Sequence, residues 1–138
     1  MRCALVDTNV LIGYLDPDDA QHDRAVRGLE ETLGKQTTTW PVIAEAAHIL
    51  GRRGWRFQEA LLAMIEGGSL TLAPLTEADA PRIRALMSKY RNRPMDLADA
   101  TLLRVAERDG IDTIVSLDRD FHVYRAAGIG ALKILPRS

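Results

Sequence analysis

Short apolar segments typical of buried strands alternate along this chain with longer segments typical of helices. Residues 3–6 form a continuous apolar run, and Thr113–Ser116 is rich in β-branched side chains. Strands are predicted at 3–6, 37–40, 70–75, 113–116 and 131–135, and helices at about 10–15, 18–33, 41–50, 57–66, 76–90 and 96–109, with a short helix within 118–127. This alternation predicts a parallel sheet covered on both faces. The expected fold class is therefore α/β, with three α/β/α layers around a short central parallel sheet.

The length of 138 residues is that of one ordinary domain, and no repeat or linker divides residues 1–138. The formal net charge of −1 supplies no global positive field toward nucleic acid. The single cysteine, Cys3, excludes an internal disulfide and a cysteine-based zinc site. Because no apolar window is long enough to span a membrane and no signal-peptide pattern opens the chain, we expect a cytoplasmic protein with no membrane association.

Two aspartates stand just beyond predicted strands. Asp7 follows the first apolar run directly, and Asp118 lies two residues past the strand at 113–116. In parallel sheets, functional groups gather beyond the carboxyl ends of the strands. Either aspartate alone is also a common helix N-cap, so the pair rather than one residue indicates a site.

Three further acids lie in or beside predicted helices. Asp96 and Asp99 are three residues apart at a helix start, where we expect Asp96 to be the N-cap and Asp99 to be functional. Glu45 lies in the nearly apolar segment 42–47, where an unpaired buried carboxylate is costly. The alternative for Glu45 is a position on an exposed stripe of its helix.

An α/β fold can bring four of these carboxylates to one end of the sheet, namely Asp7, Glu45, Asp99 and Asp118. Neighbouring carboxylates repel and raise one another's pKa values, and a divalent cation removes that conflict. Oxygen ligands favour Mg²⁺ or Mn²⁺, while the three histidines lack the spacing of a zinc site. Sites of this kind hydrolyse phosphodiester bonds.

The order of these motifs resembles that of the PIN-domain nucleases. The run Asp-Thr-Asn-Val-Leu-Ile at 7–12 follows the first strand, and Glu45 stands in an apolar helix. The run Asp-Leu-Ala-Asp-Ala at 96–100 opens a helix, and Ser-Leu-Asp-Arg-Asp-Phe at 116–121 follows a strand. The resemblance extends from residue 3 to the last strand, and the ordered set of motifs carries it.

The resemblance implies a metal-dependent ribonuclease that holds Mg²⁺ or Mn²⁺ with acidic residues. Asp7 and Asp99 would be the leading metal ligands, and Glu45 and Asp118 would complete the acidic set. Water would attack the phosphorus directly, with no covalent enzyme intermediate. The chain length is similar to that of VapBC-type toxins, which implies a cognate antitoxin protein and a homodimer as well as an RNA substrate.

The resemblance also assigns supporting roles to polar neighbours of the acids. Asn9 matches a polar position that would orient a water or a ligand, and Ser116 keeps the hydroxyl of a position that is commonly Thr. Asp96 varies in the family, which agrees with its expected role as a helix cap. Asp120 either assists at the metal or caps the following helix, and we favour the cap.

An acidic pocket needs local positive charge to bind RNA. The candidate phosphate contacts are arginines in two loop segments, Arg52, Arg53 and Arg56 in one, and Arg91 and Arg93 in the other. The alternative for each segment is a solvated loop face. Trp40 and Trp55 could stack on bases, although packing in the core or in a dimer is the more common use of tryptophan.

Two other functions compete with a nuclease. A haloacid-dehalogenase-type phosphatase also begins with an aspartate after its first strand, but it needs a second aspartate two residues later, where this chain has Asn9. It also needs a suitably placed lysine, and none of the three lysines fits. An inactive nucleic-acid-binding module would need no carboxylate cluster, and the presence of all four acids argues against it.

Overall fold

Five short parallel strands form one sheet in this structure, a computed structural model that describes residues 2–137. The strands are β1 (Cys3–Val6), β2 (Lys35–Thr38), β3 (Thr71–Leu72), β4 (Thr113–Val115) and β5 (Lys133–Leu135). Their order across the sheet is β3-β2-β1-β4-β5, with every pairing parallel. The central strand β1 pairs with β2 on one side and β4 on the other, so the chain changes its winding direction beside β1. That is where parallel sheets place ligand sites.

Six α-helices connect the strands within the described part of the chain. They are α1 (Thr8–Leu15), α2 (His22–Glu30), α3 (Trp40–Leu50), α4 (Trp55–Glu66), α5 (Ala80–Lys89) and α6 (Leu97–Asp109). Short 3-10 turns occupy Glu77–Asp79 and Asp120–His122. Helix α6 ends at Gly110, which adopts a left-handed conformation with φ 69° that glycine tolerates without strain.

Helices cover both faces of the sheet, as the sequence pattern predicts. Ala4, Leu5 and Val6 are each at most 2% exposed, although successive side chains of a strand point to opposite faces. The three-layer α/β prediction is therefore confirmed. The buried apolar side chains of residues 2–137 form a core cluster around this sheet, which supports the proposal that 1–138 is one domain.

Some predicted boundaries are wrong, for local reasons. The helix expected at 18–33 begins only at His22, because Asp16 and Asp19 accept backbone N–H groups of Asp18 and Gln21 and hold a turn. Strand β2 lies two residues earlier than expected, because Trp40 already belongs to α3. Strand β3 has only two residues. None of the helices within residues 2–137 combines the length and apolar character needed to cross a membrane.

Gly28 is expected to tolerate no larger residue, because α2 packs directly on the ends of β4 and β5. A Cβ at Gly28 would lie 2.6 Å from Val115 Cγ1 and 3.0 Å from Pro136 Cδ. We expect Gly28→Val to lower the free energy of unfolding by about 1–3 kcal/mol, measured by urea denaturation. Gly67→Ala, at the exposed end of α4, is the control, and equal losses in both variants would contradict the tight packing at Gly28.

Candidate active site

Asp7 is fixed at the junction of the two central strands. Its backbone N–H donates to Val115 O at 3.0 Å, which extends the pairing of β1 with β4. Its side chain caps α1 by accepting from Thr8 N at 2.8 Å, and it accepts from Ser116 Oγ at 2.7 Å. The residue is only 2% exposed. Asp7 is thus both the helix cap and a buried carboxylate at the carboxyl edge of the sheet.

Asp99 reaches the same edge from the first turn of α6. Asp96 is the N-cap of that helix, as predicted, and its Oδ1 accepts from Asp99 N at 2.8 Å. The Asp99 residue is 8% exposed, and its Oδ2 accepts a hydrogen bond from Tyr124 Oη at 3.3 Å. The capping bond leaves the Asp99 carboxylate free to face the other acids.

The loop after β4 presents Asp118, and Asn9 of α1 holds this loop. Asn9 Nδ2 donates to Asp118 Oδ2 at 3.1 Å, and Asn9 Oδ1 accepts from Leu117 N at 3.2 Å. Asp118 Oδ1 also accepts from Asp120 N at 2.9 Å. Asn9 therefore orients a carboxylate of the protein through contacts that join α1 to the loop.

The expectation that Asp120 caps the following helix is wrong. The turn at Asp120–His122 has Arg119 as its N-cap and no side-chain cap hydrogen bond. Asp118 accepts the Asp120 N–H instead, and the Asp120 carboxylate lies 3.6 Å from Arg93 Nε.

Glu45 is not connected to the aspartates by a direct contact. It is half-buried on α3, and within the described residues it makes no side-chain hydrogen bond or ion pair. The charges that raise the pKa values of Asp7, Asp99 and Asp118 are those of aspartates, and Glu45 is not among them. The structure therefore groups three of the four predicted acids, and the role of Glu45 stays a prediction.

Burial and mutual repulsion disfavour ionisation of the grouped carboxylates. Burial, opposed by the hydrogen bond from Ser116 and assisted by the charge of Asp118, raises the pKa of Asp7 to about 7. Burial and then the charge of Asp7 raise the pKa of Asp99 to about 8. Desolvation, with the charges of Asp120 and Asp96, also raises the pKa of Asp118. Such a set of carboxylates is stabilised by added positive charge.

We expect the metal-free protein to lose stability as the pH rises from about 4 to about 8, because Asp7 and Asp99 ionise in this range. Their pKa values in the folded state, about 7 and about 8, exceed the ordinary value of 3.8. The folded state therefore binds more protons in this range, and the free energy of unfolding falls by up to roughly 1.4 kcal/mol per pH unit for each group.

Urea denaturation in the presence of a chelator, repeated between pH 5 and pH 8, measures this decline. Asp7→Asn and Asp99→Asn should each make it shallower. Identical pH profiles for both variants and the wild type would contradict the assignment of the decline to these two carboxylates.

The donor set fits a hard divalent cation in its chemistry. The groups that converge are carboxylate oxygens, assisted by the hydroxyl of Ser116 and the amide of Asn9. Across residues 2–137, no three His, Cys, Asp or Glu side chains are already arranged to enclose one metal ion. A cation at this edge therefore has fewer than three such ligands, or side chains rotate when it binds.

The hydroxyl of Thr8 is a buried polar group at this edge that lacks a hydrogen-bond partner among the residues described. Thr8 directly follows Asp7 and opens α1. Unsatisfied buried polar groups are rare in folded proteins, and a bound water or ion is one explanation for them.

Tyr124 is the site residue that the sequence did not reveal. It is 1% exposed and packs edge-on against Phe121 and Tyr90, with ring centroids 5.1 and 4.9 Å away. Burial and the charge of Asp99 raise the pKa of the Tyr124 hydroxyl, which therefore remains a donor to Asp99. In sequence it stands in an irregular segment, where no pattern separates it from an ordinary core aromatic.

The predicted RNA-binding arginines differ in their environments. Arg53 is paired with Asp16 and Asp18 at 3.0 and 2.9 Å. Arg56 lies over the ring of Phe57 at 4.8 Å. Arg91 donates to a backbone carbonyl at Ser88, while Arg52 is exposed and unpaired within residues 2–137. Arg93 is the member of this set that lines a groove together with Asp118.

Both tryptophans are on the surface. Trp40 is 59% exposed at the start of α3, and Trp55 is 63% exposed at the start of α4. Neither therefore packs in the core of this chain, and contact with another molecule remains the prediction for both.

Sequence comparison shows similarity to a bacterial ribonuclease. The chain is 26% identical over 134 residues to Ribonuclease VapC26 of Mycobacterium tuberculosis, a match that covers 96% of this chain and 99% of that protein.

Structure comparison and a family model identify the fold and the family. The crystal structure of M. tuberculosis VapC20, a toxin that cleaves the sarcin–ricin loop, superposes with a TM-score of 0.81 at 24% identity, covering 94% of this chain and 98% of that one. VapBC2 of Rickettsia felis, bound to a DNA fragment from its promoter, gives a TM-score of 0.67 at 13% identity, with 96% of each chain covered. A chain of a toxin–antitoxin complex from Klebsiella pneumoniae superposes with a TM-score of 0.65 at 19% identity, covering 85% of this chain and 88% of that one. The family model of the PIN domain matches residues 4–127, and the chain therefore belongs to the PIN-domain family.

Proposed function

We propose that this PIN-domain protein is a metal-dependent endoribonuclease and the toxin of a VapBC-type toxin–antitoxin pair. The observation that carries the proposal is the group of Asp7, Asp99 and Asp118 at the carboxyl edge of the sheet, where burial and repulsion raise their pKa values. The similarity to a VapC ribonuclease over nearly the full length of both chains supports RNA as the substrate.

PIN-domain ribonucleases use divalent metal ions, and we propose Mg²⁺ or Mn²⁺ for this chain because the available ligands are oxygens. Asp7 and Asp99 are the leading ligands, with Asp118 and Glu45 as the remaining members of the acidic set. When bound, the cation supplies the positive charge that activates water and stabilises the oxygens of the scissile phosphate.

The protein's own contribution is to hold the carboxylates in place. Ser116 and the amide of Thr8 orient the two oxygens of Asp7. Tyr124 donates to Asp99, and Asn9 donates to Asp118. Preorganised groups of this kind lower the barrier because they need little rearrangement during the reaction.

We further propose an antitoxin protein as a partner, a homodimer as the oligomeric state, and the cytoplasm as the location. The likeness to VapBC2 and to a toxin–antitoxin complex supports an antitoxin. The exposed Trp40 and Trp55 support a protein contact, because large exposed aromatic side chains are enriched at interfaces. Sedimentation velocity of the isolated protein tests the dimer.

The proposed function predicts cleavage of structured RNA only when a divalent cation is present. The test incubates antitoxin-free protein with tRNAs and ribosomal RNA fragments in Mg²⁺, in Mn²⁺ and in chelator. The cation should also raise the melting temperature, more at pH 8 than at pH 6, because it binds the ionised carboxylates. Cleavage that continues in chelator would contradict a metal-dependent enzyme, and a cation that changes neither activity nor stability would favour an inactive module.

No structural observation favours the phosphatase alternative. Asn9, at the position where that enzyme class needs its second aspartate, is engaged with Asp118 and the backbone of Leu117. Hydrolysis of a small phosphomonoester by the purified protein would reverse this conclusion.

A further inference from the structure

A groove of about 810 Å³ opens directly beside the aspartates, between α2, the loop after β4 and the end of β5. Four arginines line it, and we refer to it as the arginine groove: Arg24, Arg93, Arg119 and Arg137. Only Arg93 belongs to the set predicted from the sequence. The segment that contains Arg52, Arg53 and Arg56 contributes no residue to the lining of the groove.

The positive charge of the arginine groove is largely uncompensated. The side chain of Arg119 makes no hydrogen bond or ion pair in residues 2–137. Arg24 donates to the neutral side chain of Gln21 at 3.1 Å. The Arg93 guanidinium pairs with Asp120 at 3.6 Å, and its charge acts to lower the pKa of Asp118. Among the groove's lining residues, Asp118 is the one carboxylate, so the groove attracts anions even though the chain has a net charge of −1.

The groove is continuous with the candidate active site. Ser116 and Asp118 line it, and these residues contact Asp7 and Asn9 respectively. Its lining also includes the apolar residues Leu117, Ile134 and Pro136. A ligand in the groove is thus within reach of Asp118, of guanidinium groups and of apolar side chains.

We propose that the arginine groove binds the sugar–phosphate backbone of the RNA substrate on one side of the scissile bond, an inference that rests on the proposed ribonuclease function. Guanidinium groups bind phosphates through paired N–H donors, and apolar side chains can contact bases or sugars. An acidic peptide would satisfy the arginines but offers nothing for the adjoining site to hydrolyse, whereas RNA carries a phosphodiester that the proposed cation would hold beside the aspartates.

The segment with Arg52, Arg53 and Arg56 is less suited to binding the RNA backbone. Arg53 is already neutralised by two aspartates, and Arg56 lies over an aromatic ring. Arg52 alone is exposed and unpaired among the described residues of that segment. Phosphate contact with Arg53 would have to displace two aspartates, whereas the side chain of Arg119 in the groove has no partner to displace within residues 2–137.

The test measures RNA binding separately from cleavage. Fluorescence anisotropy of a labelled, short, mixed-sequence single-stranded RNA is recorded in chelator with an Asp7→Asn parent protein. We expect R24E combined with R119E to weaken binding by roughly tenfold or more, and to make the dependence of log K on log salt shallower by about 0.7 for each lost phosphate contact. The combined variant R24Q and R119Q removes the charges without reversing them and should show the same trend. It replaces the glutamate variant in the test if that protein does not fold. R84E, an exposed arginine on α5, is the matched control.

Several outcomes distinguish the proposal that the arginine groove binds RNA from the proposal that the protein is a ribonuclease. Groove-dependent RNA binding by a wild-type protein that cleaves no RNA would support the groove and contradict the nuclease. Normal RNA binding by the groove variants, together with normal cleavage when the same arginine substitutions are made in the wild-type protein, would overturn the groove proposal and leave the nuclease proposal intact. A larger loss of binding with R52E would place RNA on the other surface and overturn the proposal. Polyglutamate binding that exceeds RNA binding and disappears in R24E/R119E would assign the groove to an acidic protein segment, and would also overturn it.

Discussion

Asp7→Asn is expected to reduce RNA cleavage by about a hundredfold or more while leaving the protein folded. Asp7 is the most buried member of the grouped carboxylates and stands where β1 and β4 meet. The substitution removes an anionic ligand but changes the shape of the side chain little. The asparagine oxygen still accepts from Thr8 N, and its amide can donate to the Ser116 hydroxyl in place of the present bond.

The same substitution should maintain or increase the stability of the metal-free protein at pH 8. Burial raises the pKa of Asp7 to about 7, so the ionised carboxylate opposes folding at this pH, and asparagine removes that cost. Asp112→Asn is the matched control, because Asp112 is exposed and precedes β4 at the opposite end of the sheet. Cleavage assays and urea denaturation are compared on all three proteins. An active Asp7→Asn protein, or one that loses activity only because it unfolds, would contradict the assignment.

Asp79→Ala is expected to cause the largest loss of stability, at about 3 kcal/mol or more. Asp79 is 3% exposed, and it accepts hydrogen bonds from Thr76 N at 2.9 Å, from Arg104 Nε at 2.9 Å and from Arg108 Nη1 at 3.2 Å. These bonds join the turn before α5 to α6. The alanine variant would leave two partly buried guanidinium groups without this carboxylate.

Asp109→Ala is the control for this variant, because Asp109 also pairs with Arg108, at 2.8 Å, but its side chain is 39% exposed. We expect it to cost less than about 1 kcal/mol in urea denaturation. Hydrogen bonds from Thr76 and Arg104 hold the pKa of Asp79 below its ordinary value. Its stabilisation is therefore present at neutral pH and is lost as the pH falls below about 4. Similar losses in the two variants would show that burial of Asp79 does not determine its contribution.

The fold was predictable because its signals are local. The apolar run 3–6 and the β-branched run at 113–115 are strands, and the intervening helices are present with shifted ends. The boundary errors arose where side chains compete with the backbone, as at Asp16, whose carboxylate holds a turn in place of a helical start.

The candidate site was predictable in part, because the position of some of its residues relative to strand ends and helix starts shows that they lie at the carboxyl edge of the sheet. Asp7 directly follows a strand and Asp99 lies in the first turn of a helix, so a parallel sheet brings both to one edge. Glu45 was included from its apolar surroundings, but it is only half-buried and makes no direct contact with the aspartates in the described residues. Apolar neighbours in sequence do not establish which face of a helix a side chain occupies.

The sequence by itself determined the α/β class, the PIN-type order of motifs and the acids that stand at strand ends and at a helix start. Only the tertiary structure decided which side chains support them. Asn9 meets Asp118 across 109 positions of sequence, Tyr124 reaches Asp99, and the pairing of Arg53 with Asp16 separates it from the uncompensated arginines of the groove. The physical reason is that burial, charge repulsion and hydrogen bonding depend on distances in space. A sequence pattern describes neighbours along the chain, whereas packing determines which distant groups become neighbours in the fold.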